Sequence, residues 1–192
     1  MKLNLNSANS NRHQNDFKLF VEALSSVGTK VNFKKDEVVF SEGGKANFIL
    51  IIVDGVLRTW RLVNEKEVVL GFTFPGDLET SPISFITSTP SQDTIDAICD
   101  TTCIKVPREL FFQQLNNLNL SQDILQSILL EYIDVLIQRH LESKAFTAEE
   151  NYVNLLLKQP KLMNNIPLKD IASFLGISKE RLSRIRKKHD LT

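Results

Sequence analysis

Residues 31–106 constrain the fold most, because they break into short apolar runs that turn-forming residues keep apart. The runs are Val38-Val39-Phe40 and residues 48–53, 68–74, 95–98 and 104–106. Between them stand Ser41-Glu42-Gly43-Gly44, Asp54-Gly55, Asn64-Glu65-Lys66-Glu67, Pro75-Gly76-Asp77 and Asp100-Thr101-Thr102. Runs this short cannot complete helices, and their Phe, Val and Ile content suits a half-buried pleated surface. The pattern predicts a small antiparallel barrel or sandwich. Ahead of it, Phe17, Phe20, Val21 and Leu24 repeat at helical spacing, so a short amphipathic helix opens the folded part. The Asn- and Ser-rich residues 1–16 read as a mobile leader without the apolar stretch of a secretory signal.

From Pro107 and Arg108 the period changes to that of helices. Residues 109–115 predict a short one. Ser121 can cap a long one, with Asp123 in its first turn, running to about residue 146. Such a helix is about 39 Å long at about 1.5 Å per residue. Leu125, Ile128, Leu129, Tyr132, Val135 and Leu136 form a seam spaced by threes and fours, as in a two-stranded coiled coil with a second copy. Ile124, Ile133 and Ile137 supply a second stripe for the barrel; the alternative is that the seam itself lies on the barrel. Thr147 with Glu150 three residues on reads as a capping box for a helix over 148–158, which Pro160 ends.

Residues 164–188 carry the most specific signal. Pro167 suits a first helical position, and Leu168, Ile171, Ala172 and Leu175 share one face, with Ala172 small enough for a close helix crossing. Gly176 can take the positive φ of a sharp helix end, Ile177 plugs the core, and Ser178 can cap a second helix. In that helix Leu182 and Ile185 point inward. Lys179, Glu180, Ser183, Arg184 and Lys187 share the opposite face, flanked by Arg181, Arg186 and Lys188. An ordinary surface helix mixes charges of both signs; this one suits a groove walled by phosphates. The expected base-contacting residues are Lys179, Glu180, Ser183 and Arg184. Arg184 can pair bidentately with guanine, Glu180 can accept from cytosine, and Ser183 can donate, accept or pack on a thymine methyl. Lys169, Ser178, Arg181, Arg186, Lys187 and Lys188 are expected at phosphates.

Charge distribution agrees. The chain is neutral, yet residues 144–192 hold ten Lys or Arg against five Asp or Glu, so this end is +5 and the rest −5. Only the docking part of a modular nucleic-acid binder needs to attract phosphates. With 42% hydrophobic and 24% charged residues the chain reads as an ordinary soluble protein. No apolar run reaches the ~18 residues of a membrane span, so no membrane partner is expected. Two cysteines without an export signal suggest a reducing, cytoplasmic setting. Cys99 and Cys103 flank Asp100-Thr101-Thr102, a predicted hairpin turn, and could face each other as a redox pair; two structural thiols are the plainer reading.

Barrel, long helix and C-terminal helix-turn-helix, in that order, resemble the cyclic-AMP receptor and fumarate–nitrate regulator (Crp/Fnr) family of bacterial transcription factors. Glu180-Arg181-Leu182-Ser183-Arg184 matches the E-x-x-S-R recognition-helix signature of the fumarate–nitrate branch, and residues 165–177 are similar to variants common in Bacteroidetes-type bacteria. The resemblance implies an α+β fold: a cyclic-nucleotide-binding-like antiparallel β-barrel over 17–120, a dimerisation helix over 121–146, and a helix-turn-helix (winged-helix-type) domain over 147–192. It also implies a homodimer on double-stranded DNA, reading TGA-containing half-sites of an inverted repeat, with RNA polymerase as a further candidate partner. The family's phosphate cassette maps onto Gly76, Asp77, Leu78 and Glu79, then Ser91 and Gln92, which are the effector-pocket candidates. Its arginine falls at Ser91 and its following serine at Gln92. Without that cation, and with Asp93 adjacent, cyclic AMP is not expected, which leaves an unidentified small molecule or a side-chain-filled scaffold.

Four cysteines for an iron–sulfur cluster are missing, and His13, His140 and His189 give no haem ligand in the barrel, so no metal or cofactor is assigned. A cupin-like enzyme is the rival, but residues 31–106 contain no His, and no Gly-rich phosphate loop or nucleophile–base pair appears, so no catalytic residue is assigned. A barrel-and-helix interaction protein that no longer binds DNA remains the third reading.

Overall fold

The computed structural model describes residues 11–117, 121–158 and 163–188; for residues 11–17, 121–125, 127 and 131 it describes the backbone alone. Helix α1 (Asn11–Val27) extends back beyond the expected start near Phe17. Its Phe20 and Leu24 are fully buried, and Phe20 meets Phe111 edge-on at 5.2 Å.

Eight strands follow: β1 (Thr29–Phe33), β2 (Val38–Phe40), β3 (Phe48–Asp54), β4 (Leu57–Val63), β5 (Lys66–Thr73), β6 (Leu78–Glu79), β7 (Thr94–Ala97) and β8 (Thr101–Pro107). Helix α2 (Pro82–Thr87) interrupts them between β6 and β7. The strands make two four-stranded antiparallel sheets, ordered β1-β8-β3-β6 and β2-β7-β4-β5. Leu50, Ile52, Leu57, Ile95, Ala97 and Cys103 fill the space between them. Gly55, at φ +92°, makes the β3–β4 turn, where an added Cβ would lie 2.4 Å from the Thr101 hydroxyl.

The predicted hairpin at Asp100-Thr101-Thr102 is not formed. β7 and β8 belong to different sheets, so residues 98–100 carry the chain across the barrel. Cys103 stands opposite Val31 and Ile52, and both thiols are free. Burial pushes the Cys103 thiol up to about 12.

Strand β5 is a sheet edge with a bulge. Thr59 pairs with Gly71 and Trp60 with Val69, which leaves Leu70 as the extra residue. Arg139 donates to the Leu70 carbonyl at 3.0 Å, and its guanidinium lies where a Cβ on Gly71 would crowd it.

Arg139 belongs to α4 (Ser121–Ala145), which follows α3 (Arg108–Asn117). The two stripes of α4 partly exchange their expected roles. Ile128 packs on the barrel cluster, Tyr132 and Val135 are half-buried, and Ile133 and Ile137 are exposed with Leu129, Leu130, Leu136 and Leu141. Both stripes are apolar, and the outward face draws on each of them: Leu129 and Leu136 from one, Ile133 and Ile137 from the other. The side chains of Ile124 and Leu125 lie outside the described residues. Helix α5 (Ala148–Lys158) opens with the expected capping box: Glu150 N–H donates to the Thr147 hydroxyl at 3.2 Å, and Thr147 N–H to the Glu150 carboxylate at 2.7 Å.

The last described elements are α6 (Leu168–Phe174) and α7 (Lys179–Lys188), so among the described residues no strand follows β8. No helix among them is long and apolar enough to cross a membrane.

Candidate nucleic-acid interface

Helices α6 and α7 meet through a turn that local chemistry fixes. Pro167, at φ −57° and ψ 138°, stands one place before the helix instead of in its first turn, and its carbonyl accepts from Ile171 N–H. Gly176 takes φ +66°, and Ile177 N–H returns to the Ala172 carbonyl at 3.0 Å. The Ser178 hydroxyl then accepts from Arg181 N–H at 3.2 Å, capping α7. Leu182 is fully buried and Ile185 nearly so, in one cluster with Ile171, Ala172, Tyr152, Met163 and Ile166.

With that face buried, α7 presents Lys179, Glu180, Arg181, Ser183, Arg184 and Lys187 outward. Glu180 folds onto its own N–H and the Ser178 hydroxyl, with Lys179 and Arg184 nearby, and these together hold its carboxyl below the usual range. It therefore stays ionised beside the cations. Lys169, on α6, is exposed as well.

Two of the expected phosphate residues also face α5. Lys188 pairs with Glu149 of α5 at 2.8 Å, and Arg186 is half-buried, its charge acting on the Tyr152 phenol. Both tie α7 to α5. The Ser178 hydroxyl is occupied by the cap.

Most of the effector-pocket candidates are engaged in local bonds or packing. Asp77 closes its own turn, accepting from Phe74 N–H at 3.1 Å, and Gly76, at φ +88°, donates to the Ile52 carbonyl. Leu78 is core, and Gln92 is exposed. Glu79 is buried and accepts from the Thr59 and Thr73 hydroxyls. Ser91 donates to Ser81 at 2.9 Å and accepts from Asp93 N–H, while Asp93 pairs with Arg61 at 2.8 Å. A cavity of about 670 Å³ lies elsewhere, between β5, α4, α5 and α6, with Phe72, Phe146, Leu155 and Phe174 among its walls.

Sequence reasoning left Arg58 and Trp60 without a role and passed over Asp170. The register sets Arg58 opposite Asp96 on β7. Its Nε donates to Asp96 at 2.9 Å and one terminal nitrogen also bonds that carboxylate; the other reaches Asp170 at 2.7 Å and Glu67 at 3.1 Å. Trp60 Nε1 donates to Asp96 at 2.9 Å. Arg58, Asp96 and Asp170 are all buried. Burial works against the Arg58 charge, but Asp96, Asp170 and Glu67 more than restore it, so its pKa rises. Burial raises the Asp170 carboxyl despite the guanidinium. An arginine in the midst of a strand and an aspartate among the apolar residues of α6 were the available signal.

A barrel of two antiparallel sheets is followed by a long helix laid along it and a C-terminal helix-turn-helix. Residues 30–117 match the cyclic nucleotide-binding domain family. The chain is similar to the nitrogen fixation regulation protein FixK of Bradyrhizobium diazoefficiens, at 25% identity over 170 residues, 82% of this chain and 70% of that protein. The fold matches the structure of FixK2 from Bradyrhizobium japonicum with a TM-score of 0.69, at 22% identity and 85% coverage of each chain. It also matches a protein of Eubacterium rectale assigned to the Crp/Fnr family of transcriptional regulators, with a TM-score of 0.65, 19% identity, and coverage of 90% of this chain and 83% of that one. Residues 30–117 are thus similar to a cyclic nucleotide-binding domain, and the fold as a whole is shared with these regulators.

Proposed function

We propose that the protein is a homodimeric, sequence-specific DNA-binding transcription regulator whose α7 enters the major groove. The observation that carries the reading is the outward cationic face of α7 on a helix-turn-helix whose turn, cap and core are complete. Arg184 and Ser183 contact bases, with Lys179 and Glu180 beside them; Arg181, Lys187 and Lys169 hold phosphates. A second copy covers the exposed stripe Leu129, Leu130, Ile133, Leu136, Ile137 and Leu141 of α4, because a continuous apolar row on a long helix needs a partner.

The barrel does not bind a cyclic phosphate in this reading. Ser91 stands where the resemblance puts the phosphate arginine and is consumed by Ser81 and Asp93, while Arg61 is committed to Asp93. Its interior serves as scaffold, or takes a ligand without a phosphate.

Selection of bound duplexes from a random pool at stated salt tests the reading, with Arg184→Ala alongside. An inverted repeat with a guanine in each half-site, enriched by wild type and no longer by Arg184→Ala, is the expected result. Loss of one bidentate pair costs about 1–3 kcal/mol per half-site. A wild-type protein that enriches no duplex, with or without cell extract to supply an effector, sinks the reading.

A further inference from the structure

We infer that Arg58 is a positioning residue for DNA recognition: through Asp170 it fixes the register of α6, and with it the recognition helix α7, on the edge strand β5 of the barrel. This rests on the DNA-binding reading above.

Three observations combine. First, the Arg58 guanidinium is held within the barrel by contacts that do not involve α6. Asp96 holds it through two nitrogens, Asp96 is in turn held by Trp60 Nε1, and the indole lies 5.5 Å from the guanidinium carbon. A planar fork fixed at one edge offers its remaining N–H in one direction only. Second, Asp170 lies in the first turn of α6, is buried, and meets that N–H at 2.7 Å. Taking this bond away would leave a buried carboxylate without its cation, so the pair specifies one seating of α6 over neighbouring ones. Third, α6 completes the edge of β5. The Ser173 hydroxyl accepts from Val69 N–H at 3.0 Å and donates to the Glu67 carbonyl at 3.3 Å, satisfying outward-pointing groups of a strand with no neighbour on that side.

The apolar contact gives adhesion without register. Phe72 and Phe174 meet at 5.4 Å, and Val56, Val69, Phe72, Phe74 and Ile98 of the barrel join the helix-turn-helix core in one cluster. Such a surface tolerates sliding, and the 670 Å³ cavity beside it leaves room for it. Directional bonds at Arg58 and Ser173 remove that freedom. A dimer reads two half-sites one helical turn apart, about 34–36 Å, only if its recognition helices are held at a matching separation. The barrel edge therefore sets operator spacing directly, in parallel with the long helix.

The test uses full-length protein, as wild type, Arg58→Met and Asp170→Asn. Each is presented with a single half-site duplex and with pools of inverted half-sites at varied spacing. Hydrogen exchange of the α6 amides is followed without DNA. Expected for both variants is an unchanged half-site affinity, full-site affinity lower by about ten-fold, a broadened spacing preference, and faster exchange in α6 with β3 and β8 unaltered. Retained spacing preference with retained α6 protection overturns the inference. Should Arg58→Met fail to fold, Asp170→Asn, which leaves the Arg58–Asp96 pair intact, carries the test alone. A wild type that binds no DNA refutes the regulator reading but leaves the exchange experiment decisive for the seating of α6.

Discussion

Replacing Leu182 by Ala tests whether the barrel and the helix-turn-helix fold as one unit. Leu182 is fully buried at the centre of α7's inner face, and its cluster includes Val56, Val69, Phe72, Phe74 and Ile98 of the barrel. Truncation removes three carbons from a fully buried site, so a loss near 3 kcal/mol is expected within the usual range of about 2–5. With a urea slope of about 2 kcal/mol per molar, the midpoint falls by about 1.5 M. Two probes differ in what they report. Far-ultraviolet circular dichroism follows the helices, while the single tryptophan, Trp60, sits in the barrel beside Arg58 and Asp96. If the shared cluster couples them, both transitions coincide and shift together. A circular-dichroism shift with the Trp60 transition unmoved would refute the argument, because the helix-turn-helix would then unfold alone.

Two further outcomes follow from residues already placed. The Cys103 thiol is held up to about 12 against an ordinary value of 9, so the folded chain keeps a proton that the unfolded chain gives up from pH 9. Stability should therefore fall as pH rises from 9 towards 12, more steeply in wild type than in Cys103→Ala; parallel denaturation curves would refute this. For the α4 stripe, Ile133→Glu with Ile137→Glu should convert a wild-type dimer into a monomer in sedimentation, and a variant that stays dimeric would place the interface elsewhere.

What the sequence disclosed was mostly local. The helix-turn-helix was legible because Gly176, Ser178 and the spacing of Leu182 and Ile185 act within one or two turns of chain. Thr147 and Glu150 were legible as a cap for the same reason. Strand existence was readable from the apolar runs, but pairing was not, and pairing places the key polar residues. Arg58 meets Asp96 from 38 positions away and Asp170 from 112, and neither distance leaves a periodic trace. The hairpin expected between Cys99 and Cys103 failed because the chain changes sheets there, a topological choice that turn residues do not encode. On α4 two apolar stripes competed for one barrel. Only the docked helix shows Ile128, Tyr132 and Val135 against it.

The finished edge of β5 carries a hazard for any state in which α6 leaves. Ser173 now occupies the Val69 N–H and Glu67 carbonyl, and departure would bare them next to Val69 and Phe72. An uncovered strand edge flanked by apolar side chains is a template on which a second chain can add a strand. Only Leu70, its carbonyl turned aside by the bulge towards Arg139, would interrupt that template. A protein of this design therefore keeps its released state rare or brief, and mutations that loosen α6 should show themselves in storage as precipitation before they show themselves as lost folding.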